Sequence, residues 1–342
     1  MKGKLAAAAA GIALATGNPA QAQEVPSEEI KVGIIDIQAN ELTFHDGKTS
    51  IEYREYAEEG KSSANWVTES GFDHGQMMAS AFVRQTRAID ENSPIRILAA
   101  NVFQENSNPT GSALYSRNSH RGSKRTLSVN WEGAKEALSW FSQNDVKVVL
   151  TAFNGNDSNA MREFVQESER LGMVVFASSG NKAGGPTYPA QYPQTIAVAG
   201  DNRDLAYAND PSQSQWVEFT MNGGVPKKLE GRDIDAGSSF ASAKAAAFGA
   251  YYVAHNPESD RAAVMGALGR VATPTAYEVN GHQVTTPRID ERESATRMVS
   301  VTFEDRQARI SASQDRASPA NAAPTRTAQQ AAFLQAAMGQ SR

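Results

Sequence analysis

Four polar residues stand where apolar runs give way to other segments: Asp36 directly after Val32-Gly33-Ile34-Ile35, His74 in Asp-His-Gly-Gln-Met-Met-Ala, Asn181 closing Val-Val-Phe-Ala-Ser-Ser-Gly-Asn, and Ser239 in Gly-Ser-Ser-Phe-Ala-Ser-Ala-Lys. Together these side chains suit acyl transfer. A serine hydroxyl becomes an effective nucleophile when an imidazole takes its proton, and a carboxylate must hold that imidazole in the right tautomer. A side-chain amide and the serine's own backbone N–H, at the positive end of a helix, can then hold the developing oxyanion. Taken singly, each residue has a plainer role: Asp36 as a strand-end cap, His74 as a helix-start residue, Asn181 as a turn after Gly180, and Ser239 as a helix N-cap. The coincidence of all four at element ends is what points to chemistry.

The elements that must position them follow from periodicity. Continuous apolar runs at 32–35, 95–100, 146–150, 173–177 and 195–199 are short, rich in Val and Ile, and free of polar alternation, as in strands buried on both faces of a parallel sheet. Residues 131–143 place Ala134, Ala137, Leu138 and Phe141 on one helical face; residues 160–171 do the same with Met161, Phe164, Val165 and Leu171 behind a Ser158 N-cap. Strand–helix alternation predicts an α/β fold, a mostly parallel sheet with helices on both faces, whose functional residues collect at the strands' C-terminal ends. Residues 104–126 lack an apolar period and read as a long surface loop. Further on, an apolar helix begins near Ser239, another covers 260–269, Asn280-Gly281 signals a type I′ hairpin, and 299–303 with 308–310 read as one more strand pair. From Gln314 the chain is Ala-, Pro- and Gln-rich and reads as a flexible tail with a short helix at 327–338.

Composition narrows the chemistry. The 342 residues carry 33 Lys+Arg against 38 Asp+Glu, a net charge of −5 that offers no electrostatic footprint for nucleic acid. With 0 cysteines there is no disulfide framework, zinc-thiolate site, iron–sulfur cluster or cysteine nucleophile. His45, His120, His255 and His282 lack metal-ligand spacing. Lys2 and Lys4, a short Ala-rich apolar run and Ala20-Gln21-Ala22 read as a secretory signal peptide over 1–22, and no other stretch suits a membrane span. The expected product is exported, periplasmic or secreted, and has no membrane contact after cleavage.

With these residues in place, the sequence resembles the subtilisin-like serine peptidases (subtilases, peptidase S8). The order Asp, His, Ser is that of subtilisin. Gly237-Ser238-Ser239-Phe240-Ala241-Ser242-Ala243 resembles the nucleophile motif Gly-Thr-Ser-x-Ala-x-Pro, and His74-Gly75-Gln76 to Ala79 resembles His-Gly-Thr-x-Val-Ala-Gly. Gly180-Asn181 resembles the oxyanion segment, and Tyr188-Pro189-Ala190 through Tyr192-Pro193 to Ile196-Ala197-Val198 resembles the run into the following strand. The resemblance implies a subtilisin-like fold over 23–275, followed by a small β-rich extension at 276–313 and the tail at 314–342. It implies Ser239 as nucleophile, His74 as base, Asp36 as its orienter and Asn181 as oxyanion donor, with Ala152, Phe153, Asn154 and Gly155 as the strand a peptide or protein substrate would pair with. No cofactor is implied; calcium is common in the family, but no acidic loop identifies a site.

Several positions depart from the family pattern. Ile37-Gln38 follow Asp36 where Ser or Thr and then Gly are usual, so the turn supporting the carboxylate must differ. Ala243 replaces a proline, and Asn154 replaces a glycine where a side chain would crowd a substrate adding as a β-strand. The short stretch between Ala22 and Asp36 leaves no room for a folding propeptide, so the domain folds unaided or a separate inhibitor or folding partner, or the C-terminal extension, takes that part. The expected function is an exported serine endopeptidase. The alternative is a catalytically impaired subtilase-fold protein acting as a peptide- or partner-binding module; an α/β-hydrolase esterase fits less well, because Ser239 lacks the Gly-x-Ser-x-Gly elbow.

Overall fold

The computed structural model describes residues 28–37, 42–59, 62, 74–106, 115–118, 124–181, 187–201, 217–224, 237–279 and 282–317. In chain order these form β1 (Ile30–Ile35), β2 (Thr49–Glu55), α1 (His74–Ile89), β3 (Ile95–Asn101), β4 (Phe103–Asn106), β5 (Tyr115–Asn118), β6 (Lys124–Val129), α2 (Trp131–Gln143), β7 (Val148–Thr151), α3 (Asn159–Arg170), β8 (Val174–Ser178), β9 (Thr195–Gly200), β10 (Phe219–Met221), α4 (Ser238–His255), α5 (Arg261–Val271), β11 (Thr273–Val279), β12 (His282–Ile289) and α6 (Glu293–Ala317). The five apolar runs become the contiguous middle of a nine-stranded sheet ordered β11-β12-β10-β9-β8-β7-β1-β3-β2. Every pairing in it is parallel except β11 with β12.

Alternate residues of each central strand enter opposite cores. Ile30, Val32 and Ile34 of β1 pack with α1, α4, α5 and α6, whereas Ile35 packs with α2 and α3 on the other face. Close approach requires glycine at two points. A Cβ on Gly33 would stand 2.6 Å from the Phe141 ring of α2, and one on Gly249 would stand 2.5 Å from the Phe176 ring under α4. Helix α4 is buried along almost its whole length, as its uniform Ala, Phe and Tyr content requires. The sheet order reverses at β1, flanked by β3 and β7, so the crevice of this open sheet lies at the C-terminal ends of β1 and β7. Asp36 and Ala152 each follow one of those ends.

Both predicted helices form, the second as Asn159–Arg170 with the Ser158 side chain accepting the Met161 N–H. The helix expected at 260–269 runs Arg261–Val271 behind an Asp260 cap. Residues 104–126 differ from expectation. The described ones, 104–106, 115–118 and 124–126, belong to a three-stranded antiparallel sheet, β4-β6-β5, and Leu127 and Val129 of β6 anchor it in the α2–α3 core. The strand pair expected at 299–303 and 308–310 is instead part of helix α6, which runs to Ala317. The β-branched residues there imitate a strand, but Ala295, Met298, Val301 and Thr302 are buried at helical spacing, and Tyr252 donates to Asp305 one turn further on. Strands β11 and β12 pair in hairpin register and join the main sheet through β10, while Asn280 and Gly281 lie outside the described residues. Residues 1–22, where a signal peptide is expected, and the chain from 318 also lie outside them. The alternating edge strand β2 and the short β10 were not foreseen. Among the described residues no helix is long and apolar enough to cross a membrane.

Asp290 fixes the start of α6: its Oδ1 accepts the N–H groups of Arg292 and Glu293, both at 2.9 Å. Those backbone donors, Glu293 first, lower its pKa. Asp290→Ala is expected to cost about 1 kcal/mol at neutral pH. A depressed native pKa means that this contribution is full above the unfolded value of about 3.9 and fades as the pH falls through the native one. Urea titrations of both proteins from about pH 6 to about pH 3 should therefore show the stability gap narrowing in acid; a pH-independent gap contradicts the assignment.

Candidate active site

The residue at the end of β1, Asp36, is only 3% exposed, so protein donors must satisfy most of its carboxylate. Two do. The Ile37 N–H donates to Asp36 Oδ1 at 2.7 Å, and His74 Nδ1 lies 2.8 Å from both carboxylate oxygens. An ionised carboxylate can only accept, which puts the imidazole proton on Nδ1 and makes Nε2 the basic nitrogen of the neutral ring. The helix that carries His74 is held to the same turn, because the Gly75 N–H donates to the Ile37 carbonyl at 2.9 Å. Ile37, unexpected beside Asp36 in the sequence, thus braces both partners through its backbone while its side chain is buried in the α2–α3 core.

Ser239 is in the first turn of α4, behind Gly237 at the N-cap, and is 9% exposed. Its hydroxyl donates to the Ala152 carbonyl at 2.9 Å, just beyond the end of β7. The N–H groups of a first helical turn have no acceptor within the helix, so that of Ser239 belongs to a set suited to an anion. Asn181 reaches the same turn from the end of β8. Its Oδ1 accepts from the Ser238 N–H at 2.9 Å and from the Ser238 hydroxyl at 2.7 Å. Ser238 Oγ in turn accepts the Gly180 N–H at 3.1 Å. With its oxygen held, the amide nitrogen is the donating end of Asn181, and it packs against Gly237 so closely that a Cβ there would lie 2.6 Å away. Gly180, at φ +101°, makes the turn that brings Asn181 back to α4.

The segment after β7 is less uniform than its expected role implies. Ala152 presents its carbonyl to Ser239, whereas the Phe153 ring is buried and meets Phe103 edge-on at 5.4 Å, and the Phe153 carbonyl accepts from Ser178 Oγ at 3.5 Å. Gly155 pairs with Tyr188 through both its N–H, at 2.8 Å, and its carbonyl, at 3.2 Å, so those groups are occupied. The Asn154 amide nitrogen lies 3.6 Å from where a Gly180 Cβ would be, which places it between the two loops. Among the described residues no cluster of three or more His, Asp or Glu groups is arranged to hold a metal ion such as the calcium common in the resembled family. Sequence reasoning gave Ser238 no role and overlooked Lys244, although a single lysine within an otherwise apolar helix is a legible signal.

The Subtilase family model matches residues 8–286. The chain belongs to the Subtilase family. Subtilisin E of Bacillus subtilis (strain 168) is 29% identical over 145 residues, covering 40% of this chain and 38% of the relative. Subtilisin DY of Bacillus licheniformis is 24% identical over 223 residues, covering 62% and 71%. The match thus spans less than half the length of subtilisin E. Among solved structures, a cold adapted subtilisin-like serine proteinase superposes with TM-score 0.51 at 18% identity, over 76% of this chain and 88% of that one. The prenylagaramide maturation protease PagA superposes with TM-score 0.51 at 17% identity, over 81% and 93%. These likenesses show the subtilase fold for the parallel sheet described above.

Ser238 is fully buried and links Gly180 to Asn181. Ser238→Ala leaves the Gly180 N–H without that acceptor and is expected to destabilise the fold by about 1–3 kcal/mol in denaturant titrations. A variant as stable as the wild type contradicts the linkage.

Proposed function

We propose that this subtilase is an exported serine endopeptidase that hydrolyses peptide bonds through an acyl-enzyme. The observation that carries the reading is the buried Asp36–His74 hydrogen bond, with Asn181 bonded to Ser238, next to Ser239, at the opening turn of α4. His74 Nε2 takes the Ser239 proton as Oγ attacks the scissile carbonyl, and Asp36 stabilises the imidazolium that forms. The carbonyl oxygen becomes an oxyanion and accepts from Asn181 Nδ2 and the Ser239 N–H. Collapse of the tetrahedral intermediate passes the proton from His74 to the leaving amine; water then repeats the sequence to release the acid and restore Ser239.

The Ala152 carbonyl has a part in this scheme. It holds the Ser239 hydroxyl in the structure and is also the first acceptor that a peptide strand laid along 152–154 would meet. A substrate N–H taking that acceptor turns the hydroxyl toward His74. Export rests on the basic, apolar and small-residue pattern of 1–22. Protein or peptide chains are the substrate class that suits a strand-like edge. A binding-module reading is favoured by two contacts, that of Ser239 with Ala152 and that of Gly155 with Tyr188.

Intact-mass detection of a fluorophosphonate adduct separates the two, because labelling requires an activated serine. The wild type should gain one adduct and Ser239→Ala none; a folded wild type that stays unlabelled contradicts the peptidase reading. Asn181→Ala should lower kcat on a peptide substrate by about 10²–10³. An unchanged kcat removes the amide from the oxyanion role.

A further inference from the structure

Lys244 is 6% exposed, on α4, the largely buried helix that carries Ser239 in its first turn, and takes no part in the chemistry above. A buried ammonium must find partners for its three donors. Lys244 Nζ donates to the Asn222 carbonyl at 2.8 Å, to the Gly224 carbonyl at 2.9 Å, and to Glu291 Oε1, with which it also forms an ion pair. The two carbonyls bracket Gly223, whose own carbonyl accepts the Gly237 N–H at 3.0 Å. Backbone contact here is tight, since a Cβ on Gly223 would stand 2.8 Å from the Gly237 carbonyl. Gly237 is the N-cap of α4, two residues before Ser239, and lies against the Asn181 amide. Glu291 also reaches the other catalytic helix, its backbone carbonyl accepting from Gln85 Nε2 of α1 at 2.9 Å. Glu291 lies beyond residue 286, where the family match ends.

We propose that Lys244, paired with Glu291, is a positioning residue for the Ser239 nucleophile, holding the turn at Gly237 through the 222–224 segment and setting α4 against the helix that carries His74. The inference rests on the peptidase reading. Without the ammonium, Gly223 is held by fewer contacts, and the opening turn of α4 can shift against Asn181 and His74 while the substrate edge at 152–154 stays in place. The loss therefore falls on kcat and not on KM, unlike that of a merely structural group.

The test compares wild type, Lys244→Met and Glu291→Gln in the full chain, each assayed well below its own unfolding midpoint. Measured are the rate of fluorophosphonate labelling of Ser239 and kcat and KM on one peptide substrate. Lys244→Met is expected to lower both the labelling rate and kcat by on the order of 10–10² with KM nearly unchanged. Glu291→Gln, which keeps an acceptor but removes the charge, should show a smaller fall of the same kind. Wild-type kcat and labelling in folded Lys244→Met overturn the inference and leave the peptidase reading standing. An unlabelled wild type overturns both. If Lys244→Met does not fold, Glu291→Gln decides: slower labelling at unchanged KM supports the inference, and the wild-type rate overturns it.

Discussion

The rest of the site depends on the burial of one carboxylate. Asp36 lies at the crevice where the sheet order reverses, and an ionised side chain removed from water is tolerable only when donors surround it. Those donors are the next backbone N–H and an imidazole, so satisfying Asp36 also fixes where α1 begins and which nitrogen of His74 is basic. The hydrogen bond from Gly75 to Ile37 binds the helix start to the same turn, and electrostatic need and backbone geometry reinforce one another.

Parallel strands and one buried helix carry out the remaining positioning. Consecutive strand ends β1, β7 and β8 deliver Asp36, Ala152 and Asn181 to one edge of the sheet, and α4 brings Ser239 to them with its positive end foremost. That helix lies flush against the sheet because Gly249 gives the Phe176 ring its space. Packing thus sets the distances on which the proposed acid–base chemistry relies, and the C-terminal segment takes part through Glu291.

Much of this was legible in the residues. The apolar runs in Val and Ile gave the central strands because strands buried on both faces need no polar alternation, and the four chemically suited residues fell at their ends or at helix starts. Residues 299–310 misled because Val299, Val301, Thr302 and Phe303 are strand formers by propensity, while the partners that hold them helical, Tyr252, Arg270 and the Asp290 cap, are distant or lie upstream. The sheet over residues 103–129 was missed because its strands are short and mostly polar, with Gln104-Glu105-Asn106 after Phe103 and Lys124-Arg125-Thr126 before Leu127. Ser238 escaped notice for a related reason: its place is defined by the Asn181 amide and the Gly180 N–H, which no spacing in the sequence reveals.

Asp36, His74, Asn181 and the Ala152 carbonyl are proposed to converge on the Ser239 hydroxyl as one acyl-transfer site. A crystal structure of the full chain with a peptide boronic acid, whose tetrahedral adduct imitates the intermediate, tests it most directly. Convergence predicts boron bonded to Ser239 Oγ, one boron oxygen accepting from Asn181 Nδ2, His74 Nε2 within hydrogen-bond reach, and the peptide N–H on the Ala152 carbonyl. Boron bound elsewhere, or bound to Ser239 with its oxygens turned away from Asn181 and His74, would contradict it.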